Sequence, residues 1–224
     1  MKKPRIAVFM GENTSEGATH YKTCKNYFHA IAAAGGLPYG ISYLPDLINH
    51  AVHEFDGLLS VGGDIEFPSD WHVPGHASPF PPSERLDHET QIMHSFLDAD
   101  KPVLGACHGM QVLGCLNGCL LQSDAKPETH RNKSHPVQIL EGTLLHKILG
   151  VDEIVVNSIH NEHIAVVGNS VRAAARAPDS TIEAIEIPGK KFALGYQWHQ
   201  EDFWKENHPG NKIFTAFVAS ARDL

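Results

Sequence analysis

The sequence predicts an α/β protein with a mostly parallel central sheet flanked by helices, and with a smaller antiparallel sheet in its second half. In the first half, short apolar runs typical of buried strands alternate with segments of helical spacing, as in βαβ units. In the second half, short strand-like runs are separated by turns, which favours antiparallel pairing. The length of 224 residues suits one domain that spans residues 1–224.

Four strands are predicted in the first half, because each is a short apolar run that ends at small or turn-forming residues. They are Arg5–Met10, Leu37–Tyr43, Asp56–Val61 and Pro102–Ala106. The segments between them have apolar residues three and four positions apart and are predicted as helices. These are Ala18–Ala34, Pro45–Glu54, Leu86–Ala99 and a helix that follows Cys107 as far as about Leu116.

The second half is predicted to add five short strands and a final helix. The strands are Val137–Ile139, Glu153–Val156, Val171–Arg176, Thr181–Ile187 and Phe192–Gln197. In the fourth of them, apolar residues surround Glu183 and Glu186, which predicts one buried and one exposed face. The final helix, Ile213–Ala221, has an apolar stripe along one side.

The segment Phe67–Ser83 stands apart because it contains five prolines, which exclude a helix or a central strand. It follows Gly62 and Gly63 at the end of a predicted strand, the edge at which open α/β sheets bind ligands. A surface excursion and a semi-rigid flap over a ligand site are both compatible with this composition. Its position favours the flap.

Composition excludes several classes of protein. The formal net charge is −8 and there is no basic block, so a nucleic-acid partner is not expected. No run approaches the length of about 20 apolar residues that a membrane span needs, and the first apolar run is too short for a signal peptide. Four cysteines do not suggest a disulfide framework, so we expect a reduced, cytoplasmic protein.

Sixteen histidines raise the question of a metal site, and the pairs His72/His76 and His130/His135 are the obvious candidates. No H-E-x-x-H motif or paired C-x-x-C motif supports that interpretation. Neutral histidines also serve as ordinary surface and core residues. The sequence therefore predicts no metal.

The segment LGACHGMQVLG places Cys107 between a predicted strand and a predicted helix. Gly105 and Gly109 would permit a tight turn there, as in the G-x-S-x-G nucleophile elbow. The start of the helix favours a thiolate, and the backbone N–H of His108 could hold an oxyanion. We expect a second oxyanion donor from the Gly62–Gly63 corner. The alternative is an inert buried thiol, which is our interpretation of Cys115 and Cys119.

A cysteine nucleophile usually needs a histidine, and the segment LGYQWHQE near the C-terminus supplies one. His199 and Glu201 are two residues apart at the end of an apolar run, so in extended geometry they share a face. Glu201 could then orient the imidazole of His199. Together with the elbow, this pair makes a Cys–His–Glu triad the leading hypothesis.

These motifs resemble the class I glutamine amidotransferase superfamily, in particular its γ-glutamyl hydrolase branch, the peptidase C26-like proteins. The similarity is greatest to γ-glutamyl-γ-aminobutyrate hydrolases. It includes GACHGMQ and GYQWHQE and extends over GGDIEFP, VNSIHNEHI and APDSTIEAIEI, which covers most of the chain. The resemblance implies a flavodoxin-like α/β hydrolase without metal or cofactor.

The resemblance also implies roles for individual residues. Cys107 would be the nucleophile, His199 the base and then the acid, and Glu201 the orienting carboxylate. Gly63 and His108 would provide oxyanion N–H groups. The expected substrate-binding residues, which line the glutamyl pocket or belong to the family's N-S-x-H loop, are Gln111, Asn157, Ser158 and His160.

Three positions depart from the family pattern. His108 replaces the usual arginine after the cysteine, and Gln200 replaces the usual proline between the triad histidine and glutamate. The loop after His160 reads Asn161, Glu162 and His163, where the commonest relatives carry other residues. These differences leave the expected triad intact and bear on the identity of the substrate.

The expected function is hydrolysis of the γ-glutamyl amide bond of a small γ-glutamyl compound, through a γ-glutamyl thioester, to glutamate and an amine. A small-molecule substrate, no nucleic acid and no membrane are expected, with a homodimer left open. A glutaminase subunit that supplies ammonia to a separate synthetase would use the same residues. A non-catalytic binding module with an idle triad is the third alternative.

Overall fold

The computed structural model describes residues 2–15, 18–123 and 127–222. A nine-stranded sheet runs through these ranges in the order β4-β1-β5-β6-β13-β12-β11-β8-β9. Its strands are β1 (Arg5–Phe9), β4 (Leu37–Ile41), β5 (Gly57–Ser60), β6 (Val103–Ala106), β8 (Arg131–Ile139), β9 (Glu153–Ile159), β11 (Arg172–Arg176), β12 (Ile182–Glu186) and β13 (Ala193–Tyr196). Two separate antiparallel pairs are formed by β2 (Gly11–Ser15) with β3 (Ala18–Lys22), and by β7 (Leu120–Gln122) with β10 (His163–Val166).

The sheet changes character at β13. The five strands from β4 to β13 pair in parallel, and the strands from β13 to β9 pair antiparallel. The predicted α/β class with helices around a central sheet is confirmed. The antiparallel strands of the second half continue the same sheet. The change occurs at β13, which pairs in parallel with β6 and antiparallel with β12.

Helices cover both faces of the sheet. The helices are α1 (Lys25–Ala33), α2 (Pro45–Glu54), α3 (Arg85–Asp98), α4 (His108–Cys115), α5 (Pro127–His130), α6 (Leu144–Leu149) and α7 (Lys212–Ser220). Apolar side chains of α1, α6 and α7 share one core cluster with the sheet. Those of α2, α3 and α4 belong to a second cluster on the opposite face. None of these helices is both long and apolar enough to cross a membrane within the described ranges.

The prediction of one helix over Ala18–Ala34 is wrong in its first part. Residues 18–22 pair with β2 as a hairpin, and the helix begins only at Lys25. The five residues of β3 are all exposed, so no apolar face holds them in a helix against the sheet. The hairpin lies beside the end of β1, where it lines a cleft described below.

The strand β12 also differs from the predicted pattern. All five of its residues are buried, so it does not have one buried and one exposed face. Glu183 is 0% exposed and Glu186 is 5% exposed. Glu186 accepts a hydrogen bond from the backbone N–H of Leu144 at 2.6 Å, whereas Glu183 faces a group of histidines. Burial of a carboxylate is unfavourable unless it is paired, so the surroundings of Glu183 require an explanation.

Candidate active site

The predicted triad residues lie at one edge of the sheet because they follow neighbouring parallel strands. β6 and β13 pair in register, with Ala106 opposite Tyr196. Cys107 follows β6 directly, and its backbone N–H donates to the carbonyl of Tyr196 at 2.8 Å. His199 lies three residues beyond the end of β13. The carboxyl ends of parallel strands are the usual ligand-binding edge of an open α/β sheet.

Cys107 occupies a strained turn between β6 and α4. Its φ is 51° and its ψ is −107°, a conformation that non-glycine residues rarely adopt. The flanking glycines make the turn feasible. A Cβ on Gly105 would lie 2.5 Å from the carbonyl carbon of Gly109, and a Cβ on Gly109 would lie 2.5 Å from the carbonyl oxygen of Ser60. The elbow predicted from G-x-C-x-G is therefore present as a backbone feature.

The thiol is largely buried, since Cys107 is only 8% exposed. Gly62, at the end of β5, lies directly over it. A Cβ on Gly62 would be 3.1 Å from Cε1 of His199 and 3.6 Å from Cβ of Cys107. A side chain at this position would fill the space between the cysteine and the histidine.

His199 connects the cysteine to Glu201. Nδ1 of His199 lies 2.8 Å from Oε1 of Glu201, and the Glu201 side chain is 2% exposed. Burial lowers the pKa of His199, but side-chain hydrogen bonds with Cys107 and Glu201 outweigh burial and raise that pKa well above its ordinary value. The imidazolium is thus stabilised beside the cysteine sulfur, the arrangement that a thiolate nucleophile requires.

Asn157 holds the backbone of His199 from both sides. Its Oδ1 accepts a hydrogen bond from the N–H of His199 at 2.9 Å, and its Nδ2 donates to the carbonyl of His199 at 3.3 Å. Nδ2 also donates to Asp202 at 3.1 Å. The predicted substrate contact of Asn157 remains a prediction, and the contacts observed here fix the imidazole in place.

The other predicted substrate-binding residues form hydrogen bonds with protein groups. Gln111 donates from Nε2 to the carbonyl of Glu162 at 2.7 Å, and Ser158 donates from Oγ to the carbonyl of His130 at 3.1 Å. The Nδ1 of His160 lies 3.1 Å from that same Glu162 carbonyl. Their contacts with a glutamyl group also remain predictions.

Two residues that the sequence did not single out, Gln197 and Tyr27, lie beside the triad. The Nε2 of Gln197 donates to Sγ of Cys107 at 3.5 Å, and the Tyr27 hydroxyl accepts a hydrogen bond from the N–H of Gly62 at 3.3 Å. Burial and the neighbouring Glu201 carboxylate raise the pKa of Tyr27 well above its ordinary value. Gln197 could have been found, because it lies two residues before His199 and shares its face in an extended chain. Tyr27 carries no such signal.

A buried charged group supports the predicted oxyanion corner. The guanidinium of Arg85 donates to the carbonyls of Val61 and Gly62 at 2.7 and 3.0 Å, and a Cβ on Gly63 would overlap it. Arg85 in turn pairs with Glu89 at 2.9 Å. The peptide groups of this corner are therefore held in one orientation, which a preorganised oxyanion site needs.

His108 takes part in the same buried group through its side chain. Its Nε2 lies 3.1 Å from Oε2 of Glu89, and its ring stacks on Phe67 at 4.6 Å. Burial raises the pKa of Glu89, but Arg85 and His108 outweigh it and lower that pKa to about 2. Glu89 is therefore ionised at neutral pH. The roles of the Gly63 and His108 N–H groups as oxyanion donors remain predictions.

Gln200, which replaces the family proline between His199 and Glu201 in the sequence, is fully buried. Its Oε1 accepts a hydrogen bond from Trp198 at 3.0 Å, and its Nε2 donates to Oδ1 of Asn211 at 3.0 Å. A Cβ on Gly210 would overlap the amide of Gln200. This departure from the family pattern is thus accommodated by tight local packing, which leaves the bond between His199 and Glu201 intact.

A cleft of about 520 Å³ opens on His199 and Glu201. Its walls come from the β2–β3 hairpin, from residues 61–65 and from the last part of the proline-rich segment. The polar and charged residues on its walls include Glu12, Asn13, Lys22, Asp64 and Arg85. The volume is within the range of small-molecule sites.

The proline-rich segment is tied down on its other side. His72 and Ser78 contact the two carboxylate oxygens of Glu162 at 2.7 and 3.1 Å. His72 and Glu162 are 5% and 1% exposed. The segment is therefore fixed to the loop that carries Glu162, while Pro81 and Pro82 form part of the cleft.

Comparison with known proteins agrees with this geometry. The family model for peptidase C26 matches residues 6–201. A γ-glutamyl-γ-aminobutyrate hydrolase of Escherichia coli O157:H7 is 28% identical over 99% of this chain and 95% of its own. A protein of Rickettsia prowazekii named as glutamine amidotransferase-like is 28% identical over 90% of both chains. A solved structure from Thermoplasma acidophilum, described as a GMP synthase subunit, superposes with a TM-score of 0.70, at 18% identity, over 100% of this chain and 96% of its own, which supports the fold.

Proposed function

The chain belongs to the peptidase C26 family, and from this premise we propose that it is a cysteine-dependent γ-glutamyl hydrolase. In this proposal residues 1–224 act as a single domain on a small γ-glutamyl amide, resembling γ-glutamyl-γ-aminobutyrate, and release glutamate and an amine. Family membership and the full-length hydrolase relatives support hydrolysis. The proposal rests mainly on the convergence of the strained Cys107 turn with His199, which is hydrogen-bonded to Glu201, on either side of Gly62.

The first half of the reaction forms a thioester. The Cys107 sulfur attacks the γ-carbonyl carbon of the substrate, and the carbonyl electrons move to the oxygen of a tetrahedral intermediate. The N–H groups of His108 and Gly63 are the proposed donors to that oxygen. As the C–N bond breaks, the His199 imidazolium gives its proton to the leaving amine, and a γ-glutamyl thioester remains on Cys107.

The second half returns the enzyme to its starting state. Water attacks the thioester carbonyl while neutral His199 takes a proton from it, and the C–S bond then breaks to release glutamate. Glu201 keeps the imidazole in one orientation and stabilises its charged form in both halves. Asn157 and Gln197 act as positioning residues, since one holds the His199 backbone and the other contacts the sulfur.

The cleft beside His199 is the proposed site of the leaving amine. Lys22 is exposed on the wall of that cleft, opposite the proline-rich segment. An ammonium group there suits an amine that carries its own carboxylate, as γ-aminobutyrate does. The carboxylates of Glu12 and Asp64 would disfavour further negative charge on the same ligand.

The test is glutamate release from a panel of γ-glutamyl amides by the purified chain alone. We expect turnover of γ-glutamyl-γ-aminobutyrate, and none with Cys107→Ala, while Cys119→Ser keeps activity because Cys119 is a buried thiol beyond the end of α4 and is not among the residues that line the cleft. Lys22→Gln should raise KM for γ-glutamyl-γ-aminobutyrate but not for γ-glutamylbutylamine, which lacks the carboxylate. Absence of glutamate release from every amide by folded protein would contradict the proposal.

A glutaminase subunit is the second candidate, because the relative from Rickettsia prowazekii is named as glutamine amidotransferase-like. Free glutamine separates the two. A hydrolase should prefer substituted γ-glutamyl amides to glutamine without any partner. A subunit that depends on a synthetase should hydrolyse glutamine slowly when it is alone. Its rate of hydrolysis should not increase when the amide carries a larger amine.

A further inference from the structure

A second group of titratable side chains lies behind the loop that carries Glu162. We call it the histidine–glutamate cluster, and its members are His130, His135, His160 and Glu183. They come from the end of α5, from β8, from the residue after β9 and from β12. His130 and Glu183 are 1% and 0% exposed. None of them belongs to the proposed triad.

The three histidines converge on one oxygen atom. Oε1 of Glu183 lies 3.4 Å from Nδ1 of His130, 3.6 Å from Nε2 of His135 and 3.7 Å from Nε2 of His160. These distances exceed those of good charge-assisted hydrogen bonds. Four ligand atoms around a tetrahedral zinc ion, with bonds of about 2.0–2.1 Å, are themselves about 3.3 Å apart.

Two of the histidines are held in a known tautomer by their outer nitrogens. Nδ1 of His135 lies 3.1 Å from the carbonyl oxygen of Pro136, and Nδ1 of His160 lies 3.1 Å from the carbonyl oxygen of Glu162. A carbonyl oxygen only accepts, so both Nδ1 atoms carry hydrogen. In the neutral rings, Nε2 therefore presents a lone pair to Glu183.

His130 is oriented in the same way by a carboxylate. Its Nε2 lies 3.1 Å from Oδ2 of Asp179. An ionised aspartate carboxylate only accepts, so Nε2 of His130 carries the hydrogen. The neutral ring then turns the lone pair of Nδ1 towards Glu183. A carboxylate that holds the outer nitrogen of a histidine is a common second shell of metal ligands.

Among the inner atoms of the cluster, only Nδ1 of His130 has a further contact in the part of the chain that the structure describes, at 3.4 Å from the Ser158 hydroxyl, which also donates to the His130 carbonyl. Both oxygens of Glu183, Nε2 of His135 and Nε2 of His160 are buried without a hydrogen-bond partner among those residues. Lone pairs of three imidazoles thus face a carboxylate. Such an arrangement is repulsive unless a cation lies among them.

We propose that His130, His135 and Glu183 bind a divalent transition-metal ion of the Zn²⁺ type, with Nε2 of His160 beside the fourth position. The ligand atoms of the first three residues all lie within 4.8 Å of one another. Imidazole nitrogen with a carboxylate oxygen is a typical zinc ligand set, and the hydrogen-bonded outer nitrogens complete the second shell.

The site lies near solvent and has a structural consequence. The His135 side chain is 10% exposed, and Asp179, which contacts His130, lines a solvent-open cavity of about 350 Å³, so the cluster lies close to solvent on that side. The ligands would join β8 to β12 and border the end of β9. The bound ion would therefore stabilise the segment that continues into Glu162 and contacts Gln111. This role is separate from the thiol chemistry.

The test is metal content and affinity of the untagged full-length protein, measured after removal of metal with EDTA and equilibration with Zn²⁺. We expect one equivalent of Zn²⁺ per chain that survives competition with a weak chelator. Glu183→Gln and His135→Gln should each lower the affinity by about 100-fold or more. His146→Ala is the matched control, since this histidine is a partly exposed residue outside the cluster, and it should keep the bound equivalent.

Substitution with Co²⁺ adds a spectroscopic readout that does not depend on activity. A tetrahedral site should give strong visible absorption in the unaltered protein and in His146→Ala, and not in the two cluster variants. Circular dichroism identifies a variant that fails to fold. If Glu183→Gln does not fold, His135→Gln decides the question, because the His135 side chain is 10% exposed at the edge of the cluster. Failure to retain Zn²⁺, or equal retention by folded cluster variants, would overturn the proposal whatever the outcome of glutamate release.

Discussion

The triad and the histidine–glutamate cluster are two buried groups of the same kinds of side chain, separated by one residue. Gln197 joins them, because its Nε2 donates to the Cys107 sulfur and its backbone N–H donates to the carbonyl of Glu183. Both groups place imidazoles against a glutamate. They differ in how the hydrogen bonds are arranged.

In the triad, Nδ1 of His199 lies 2.8 Å from Oε1 of Glu201, while Oε2 of Glu201 is buried without a hydrogen-bond partner among the described residues. His199 lies between the Cys107 sulfur and the Glu201 carboxylate, and the result is a raised pKa for the imidazole. In the cluster, both oxygens of Glu183 and the Nε2 atoms of His135 and His160 are buried without a hydrogen-bond partner among the described residues. An imidazole bonded to a carboxylate is suited to move a proton, whereas several acceptors without donors are suited to hold a cation.

The largest expected effect is the loss of chemistry without loss of fold in Cys107→Ala. Removing the nucleophile should lower kcat by about 10⁴-fold or more, as in other hydrolytic triads. The lost sulfur touches little of the core, so thermal unfolding should change little. Steady-state kinetics and a melting curve measure both. Cys119→Ser is the control, and turnover close to that of the unaltered protein in folded Cys107→Ala would show that another residue attacks.

A smaller loss is expected for Glu201→Gln, because this residue orients a group and transfers nothing. We expect kcat to fall by about 10²-fold less than with Cys107→Ala. Glu201 helps to raise the pKa of His199, so its removal should let the imidazolium lose its proton at a lower pH. The alkaline limb of kcat/KM should therefore move to lower pH.

A pH profile of the Glu201→Gln enzyme checks the sign of this shift. Glu206→Gln is the matched control, because this exposed glutamate lies close in sequence and outside the triad. An alkaline limb that stays in place, or moves to higher pH, would show that Glu201 does not support the charged imidazole.

Asn157→Ala should lower kcat by about 10–10²-fold, with little change in KM. The variant removes both hydrogen bonds to the His199 backbone, and small displacements of a catalytic group cost about this much. Exposed Asn207→Ala is the control. A raised KM with normal kcat would instead assign Asn157 to substrate binding, the role that the family resemblance implies.

The smallest expected effect is on stability, and it tests the other side of the comparison. In metal-free protein, Glu183→Leu should raise the free energy of unfolding by about 1–3 kcal/mol, because it removes an unsatisfied buried carboxylate. With saturating Zn²⁺ the unaltered protein should have the higher free energy of unfolding, since only the unaltered protein gains binding energy. Denaturant unfolding with EDTA and with Zn²⁺ measures both. The same order in both conditions would mean that Glu183 does not bind the ion.

The elbow could be predicted from sequence because the residues that determine its turn are close together in the chain. Gly105, Cys107 and Gly109 define the turn, and the register of β6 against β13 then brings His199 to the same edge. The cluster could not be predicted in this way. His130 and His135 are close in sequence, but Glu183 comes from a strand whose burial is decided by its place in the sheet. The hairpin over 18–22 was missed because its exposed residues carry no periodic apolar signal.

The central claim is that Cys107 carries the γ-glutamyl group during turnover, and the direct measurement is trapping of that intermediate. The protein is mixed with γ-glutamyl-γ-aminobutyrate, quenched in acid within the first turnovers, and digested for peptide mass mapping. We expect a glutamyl adduct on the peptide that contains Cys107, and its absence from Cys107→Ala. An adduct on another residue, or turnover without any adduct on Cys107, would contradict the account.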